Sequence, residues 1–233
     1  MRILFCLITI LPVFAFAQKK NTFMDSIHAI RQARIDAMVA FIQLKPSDTV
    51  ADIGSGNGYN IVRLSKYYPG VKYHVEDIDS TSCNRKNFQK AISIYNPAIA
   101  LSDFTFTYGT TTSTHLPKQY FTKVLMIAVV HEFDDKALMF ADIKSILKAG
   151  GDIYIEEPFV LKPTAKKDKG CNNPYLTEEQ FKDIITANGL TIAEEKNTAN
   201  SGAQYRKIFR CRIGRESVVV NRESAIVNKL IDK

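Results

Sequence analysis

At 233 residues the chain is long enough for one α/β domain with a sizeable core, and too short for two ordinary domains with linkers. Its 45% hydrophobic and 24% charged residues are ordinary globular values and exclude a disordered or fibrous chain. The net charge of +7 is spread along the sequence with no long basic run interleaved with aromatics, so it reads as solubility and no nucleic-acid partner is expected.

In chain order, Arg2 precedes an apolar run from Ile3 to Phe16 that ends in Ala15-Phe16-Ala17 before Gln18, the pattern of a secretory signal peptide. The run is about fourteen residues, interrupted by Pro12, against the ~20 needed to span a bilayer. Residues 1–17 are therefore expected to be cleaved, leaving an exported protein, periplasmic or secreted, with no membrane span. Cys83, Cys171 and Cys211 remain in the mature chain; none has CxxC or Cys/His spacing, so no metal is expected, and pairing among them stays open.

Residues 18–45 form a helical lead-in, with a helix from about Thr22 to Leu44 that Pro46 closes. Strand and helix patterns then alternate: strand Thr49 to Ile53, helix Tyr59 to Tyr67, strand Lys72 to Glu76 running into Asp77, helix Ser82 to Ile94 and strand Phe104 to Tyr108. The run Lys123 to Val130 is apolar almost throughout, as expected of a central parallel strand buried on both faces. A helix from Asp135 to Leu147 stops at Gly150-Gly151, and a fifth strand, Asp152 to Glu156, is expected to end at Pro158. Residues 160–174, rich in Lys and Pro, read as a loop. Thr177 with Gln180 makes a capping box for the next helix, which Gly189 stops. Strands Leu190 to Glu194 and Tyr205 to Ile213 close the pattern as a hairpin. Five strand-helix units followed by a hairpin predict a doubly wound, Rossmann-like seven-stranded sheet over residues 46–215, mostly parallel with an antiparallel last strand; the tail, 216–233, shows no docking pattern.

The chemistry-bearing constellation is the turn after the first strand, Asp52-Ile53-Gly54-Ser55-Gly56-Asn57-Gly58. Glycines there let backbone approach a ligand, and in an open α/β sheet ligands sit beyond the carboxyl ends of the strands. A dinucleotide site would want Gly or Ala where this chain has Tyr59, which argues against a pyrophosphate. Asp52 can meet a cationic amino group instead. At the end of strand two, alternation sends the side chains of Glu76 and Asp77 to opposite faces, so one of the two carboxylates faces the crevice.

These segments resemble motif I and the second-strand motif of class I S-adenosylmethionine-dependent methyltransferases. Val75-Glu76-Asp77-Ile78-Asp79 is similar to the segment whose carboxylate takes the ribose hydroxyls, which in that register is Asp77, and Leu147-Lys148-Ala149-Gly150-Gly151, entering Asp152 to Pro158, is similar to the segment before and within strand five. Leu116-Pro117 also fits. The resemblance covers about residues 28 to 213. It implies that Asp52, Gly54, Ser55, Gly56, Asn57, Gly58, Asp77 and Ile78 hold S-adenosylmethionine. Thr110 and Thr111 stand where many members carry an acidic residue that binds adenine, so there a hydroxyl or a backbone group would have to serve.

Methyl transfer needs mainly alignment of nucleophile, methyl carbon and leaving sulfur, and a general base only for an acidic or protonated acceptor. The resemblance places His131-Glu132-Phe133 beside the methyl group and makes His131 the one base to name, with a structural role as the competing reading; the sequence assigns no catalytic residue. The expected partner is an unidentified small-molecule acceptor, as in the ubiquinone and menaquinone biosynthesis enzymes. The alternative is an exported binding protein that keeps the fold without turnover.

Overall fold

A computed structural model describes residues 11–162, 167, 171–200 and 204–214. The expected C-terminal tail, residues 216–233, lies outside them, as do residues 1–10 of the expected leader. Seven strands form one sheet in the order β3-β2-β1-β4-β5-β7-β6: β1 (Thr49–Ile53), β2 (Lys72–Asp77), β3 (Phe104–Tyr108), β4 (Phe121–Ile127), β5 (Leu147–Val160), β6 (Leu190–Asn200) and β7 (Gln204–Ile213). The first five strands are mutually parallel, and β7 runs antiparallel between β5 and β6. This is the doubly wound sheet with an antiparallel last strand that the strand pattern predicts.

The helices cover both faces. On one side α1 (Leu11–Ile42), α2 (Tyr59–Ser65) and α3 (Arg85–Tyr95) bury Ile35, Met38, Ile61 and Phe88 against Tyr73 and Val75 of the sheet. On the other, α4 (Lys136–Ile146) and α5 (Glu178–Ala187) bury Phe140 and Phe181 with Phe159 and Phe209. β4 lies between β1 and β5 with helices on both faces of the sheet, which is why it shows no polar alternation. Among the described residues no helix is long and apolar enough to cross a membrane.

Three expectations change. The lead-in helix starts earlier than the pattern placed it, at Leu11, so residues 11–17 of the expected leader are its first turns. The fifth strand does not end at Pro158: it runs on to Val160, and Pro158 pairs with Arg206 of β7. The proline is tolerated because β4, the neighbour on the other side, pairs with β5 only as far as Glu156, so no ladder donor is missed there. The expected strand over 123–130 ends at Ile127, where Ala128 adopts a left-handed φ of 59° and a 3-10 turn, Val130–Glu132, follows. Such a conformation is costly for a residue with a Cβ and tends to mark functional segments.

The predicted capping box is present at α5: Thr177 Oγ1 accepts from the Gln180 amide at 3.2 Å, and Gln180 Oε1 accepts from the Thr177 amide at 2.9 Å. Glu156, fully buried, accepts bidentate hydrogen bonds from both Arg34 of α1 and Arg206 of β7, and one from Thr198. Those two guanidinium charges outweigh its burial and hold its carboxyl far below the usual carboxylate range. The cluster ties α1 to the centre of the sheet. Cys83 and Cys211 are buried thiols whose burial pushes both up to about 12, and neither forms a disulfide.

Candidate functional site

A cavity of about 450 Å3 opens at the carboxyl ends of β1, β2, β3 and β4, a size typical of small-molecule sites. Its floor is the turn after β1. Gly54 takes a φ of +67°, and a Cβ there would come within 2.4 Å of Val129 Cγ2, so only glycine lets β1 turn beneath the segment that follows β4. Gly56, at φ +52°, has nothing within 4 Å of where a Cβ would point, and it lines the cavity: its bare backbone is the surface a ligand would lie on. The Ser55 amide bonds the Glu76 carbonyl at 2.9 Å, fastening the turn to β2.

Of the residues the sequence singles out, Gly54, Gly56, Asp77, Ile78, Thr110 and Thr111 are brought together as cavity wall. Asp52, Ser55, Asn57 and Gly58 are not among the lining residues. Asp52 is buried beneath the turn, where Ser55 Oγ donates to its Oδ2 at 2.6 Å, and Asn57 Oδ1 accepts from the Tyr59 amide at 3.1 Å. These side chains shape the turn. Tyr59 stacks edge-on against Tyr95, on α3.

The two carboxylates at the end of β2 differ in a way that simple alternation does not anticipate. Asp77 Oδ2 accepts from the Gly56 amide at 2.8 Å and its Oδ1 from the Asp79 amide at 2.8 Å, so it braces the turn while facing the cavity. By alternation Glu76 points to the opposite face of the strand, yet it too lines the cavity at the carboxyl end of β2. It is 2% exposed, and its Oε1 has no hydrogen-bond partner among the described residues. Burial, then the charge of Asp77, push the Glu76 carboxyl up to about 8 against a hydrogen bond from the Gly54 backbone. Burial likewise raises Asp52 to about 7, opposed by its bond from Ser55 and helped by the charge of Asp77.

Raised carboxyl pKa values mean that the folded chain holds these protons more tightly than the unfolded one. The stability they confer is complete below the ordinary values of 3.8 and 4.5 and is lost as pH rises through about 7 and 8. Thermal unfolding of the ligand-free protein should therefore move to lower temperature between pH 5 and 8.5, and the double variant Asp52→Asn, Glu76→Gln should show a flatter decline. A parallel decline in the variant would refute the assignment.

The opposite wall of the cavity follows β4. The left-handed turn at Ala128 carries the chain into Val129, Glu132 and Phe133, all of which line the cavity. His131 is buried beside them. Its Nδ1 lies 2.9 Å from Glu157 Oε2, whose other oxygen accepts from the Val130 amide at 2.6 Å. A carboxylate only accepts, so the ring donates from Nδ1, and its Nε2 lies 3.7 Å from Glu132 Oε1. Glu156 and Glu157 are consecutive and face opposite sides of β5: the first binds two arginines, the second orients His131. The sequence reading missed Glu157 as a site residue; the signal available was a pair of glutamates inside an otherwise apolar strand. His131, Glu132 and Cys171 also bring an imidazole, a carboxylate and a thiol within 4.8 Å of one another, ligand types that a divalent metal accepts, where the sequence spacing suggested none.

The chain's residues 14–189 match the O-methyltransferase domain family. No curated protein sequence matches it. Solved structures share its fold. The geranyl diphosphate C-methyltransferase of Streptomyces coelicolor A3(2), crystallised with Mg2+, geranyl diphosphate and S-adenosyl-L-homocysteine, is 12% identical with a TM-score of 0.63 over 82% of each chain. A SAM-dependent methyltransferase from Aquifex aeolicus is 16% identical, with a TM-score of 0.59 over 77% of this chain and 89% of that one. The cyclase SpnF is 12% identical, with a TM-score of 0.60 over 77% of this chain and 80% of that one, so the same fold also carries other chemistry.

Proposed function

The chain belongs to the O-methyltransferase domain family, and from that premise we propose that it transfers the methyl group of S-adenosylmethionine to a hydroxyl of a small-molecule acceptor. The observation that carries this reading is one cavity with two differently built walls. A bare glycine turn braced by Asp77 forms one side, and an imidazole already oriented by a buried carboxylate stands behind the other. The residues fit the cofactor. Gly56 leaves backbone exposed at the cavity, Asp77 keeps lone pairs beyond its two backbone bonds for a pair of ribose hydroxyls, and Ile78 offers an apolar surface for a ring.

S-adenosylmethionine supplies a methyl group already activated on a sulfonium. What remains for the chain is to hold the acceptor oxygen in line and to remove its proton. His131, behind the wall that follows β4, would be the group to take the acceptor's O–H proton at Nε2, and Glu157 would stabilise the imidazolium so formed. Phe133 and Met139 give the acceptor side an apolar lining suited to a small organic molecule.

Titration calorimetry with S-adenosylhomocysteine tests binding, and transfer of labelled methyl from S-adenosylmethionine to a panel of small phenols and aliphatic alcohols tests turnover. Binding without transfer to any member would favour the second reading, a binding protein that keeps the fold, which the shared fold of a cyclase makes concrete. No binding at millimolar ligand would sink both. The leader pattern at residues 1–17 supports export, and the intact mass of the protein from its native cell should lack those residues; a full-length mass would overturn this.

A further inference from the structure

We propose that Glu76 reads the adenine of the cofactor, with Oε1 accepting a hydrogen bond from the exocyclic amine. The inference rests on the cofactor assignment above and deepens it.

Three observations carry it. Glu76 Oε1 is a buried carboxyl oxygen on the cavity wall with no partner among the described residues, and a buried polar group left unpaired is costly unless a ligand completes it. Asp77, its neighbour, is already engaged on both oxygens by the Gly56 and Asp79 amides, so the two carboxylates are not equivalent sites. Position along the cavity gives the third. Glu76 stands at the end of β2 against Gly109, the residue just past β3: a Cβ on Gly109 would lie 2.1 Å from Oε1, so only glycine there leaves the carboxyl its place.

The β3 side of the cavity is also the end away from His131. With the methyl group directed at the acceptor wall after β4 and the ribose at Asp77, the base must extend toward β3. There Thr110 and Thr111 offer hydroxyls, and Thr110 Oγ1 is already occupied by the Ser113 amide at 3.2 Å. Of the carboxyls at that end, Asp77 and Asp79 already accept from backbone amides, whereas Glu76 Oε1 has no partner among the described residues. Ile78, 58% exposed and lining the same end, provides the apolar surface on which a purine can lie. The raised affinity of the Glu76 carboxyl for a proton agrees with this geometry: a neutral carboxyl still offers its carbonyl oxygen to an amine, and its hydroxyl can donate to the adjacent ring nitrogen.

The test compares S-adenosylhomocysteine with S-inosylhomocysteine, in which a carbonyl oxygen replaces the amine, by titration calorimetry on wild type, Glu76→Ala and Glu76→Gln, with circular dichroism confirming the fold of each. Wild type should prefer the adenosyl ligand by about tenfold or more. Glu76→Ala should lose that preference by weakening the adenosyl ligand alone, and Glu76→Gln, which keeps a carbonyl acceptor and gains a donor, should retain adenosyl binding and improve the inosyl ligand. A preference that survives in Glu76→Ala, or a wild type that binds both ligands equally, overturns the assignment while leaving the cofactor site standing. A wild type that binds neither overturns the cofactor site as well.

Discussion

Asp77→Ala is expected to weaken S-adenosylhomocysteine binding by about ten to a few hundredfold, the loss of one or two hydrogen bonds to a charged acceptor at roughly 1.5 to 3 kcal/mol each. Two effects add. The carboxylate leaves the ribose hydroxyls unbonded, and its removal also releases the Gly56 and Asp79 amides that it holds at 2.8 Å, so the turn loses the brace that keeps Gly56 flat against the cavity. Asp77→Asn separates the two. The amide can present its oxygen either to the Gly56 N–H or to the ligand, but its nitrogen repels the other donor, so binding should fall between wild type and alanine. Calorimetry reads all three, with circular dichroism as the check on folding. An Asp77→Ala protein that is folded and binds within twofold of wild type would show that the ligand does not touch this carboxylate.

The second large effect is expected on turnover. His131→Ala should lower methyl transfer by about a hundredfold to ten-thousandfold, the usual range for a positioned acid or base, with S-adenosylhomocysteine affinity near wild type because the imidazole lies behind the wall opposite the glycine turn. Glu157→Gln should cost less. The glutamine oxygen can still accept from Nδ1, but it carries no charge to stabilise the imidazolium, and its nitrogen, a donor only, leaves the Val130 amide that Glu157 now bonds at 2.6 Å without that acceptor. The measurement is single-turnover transfer to whichever hydroxyl compound wild type methylates best, alongside calorimetry. Equal losses of turnover and cofactor affinity in His131→Ala would make the histidine structural, and full turnover in the same variant would remove it from the reaction.

These effects rest on contacts of two kinds, and they were unequally visible beforehand. What the sequence by itself determined is local. The apolar runs and their breaks place all seven strands, and the glycines of the first turn and the capping box at Thr177 announce their geometry, because φ above zero and a first-turn hydrogen bond depend on a few adjacent residues. Asp77 was placed at the cavity by the register of the second-strand segment with the family it resembles; the two-residue period alone only sends Glu76 and Asp77 to opposite faces. Only the tertiary structure decided the rest. That Glu76 lines the same cavity depends on where β2 ends beside β1 and on Gly109, the residue just past β3. That Glu157 serves His131, 26 residues earlier, depends on the register of β4 with β5. The continuation of β5 through Pro158 depends on β4 having stopped. In each case the deciding partner sits on another strand, and pairing register is fixed by the packing of the whole sheet, which no window of the sequence contains.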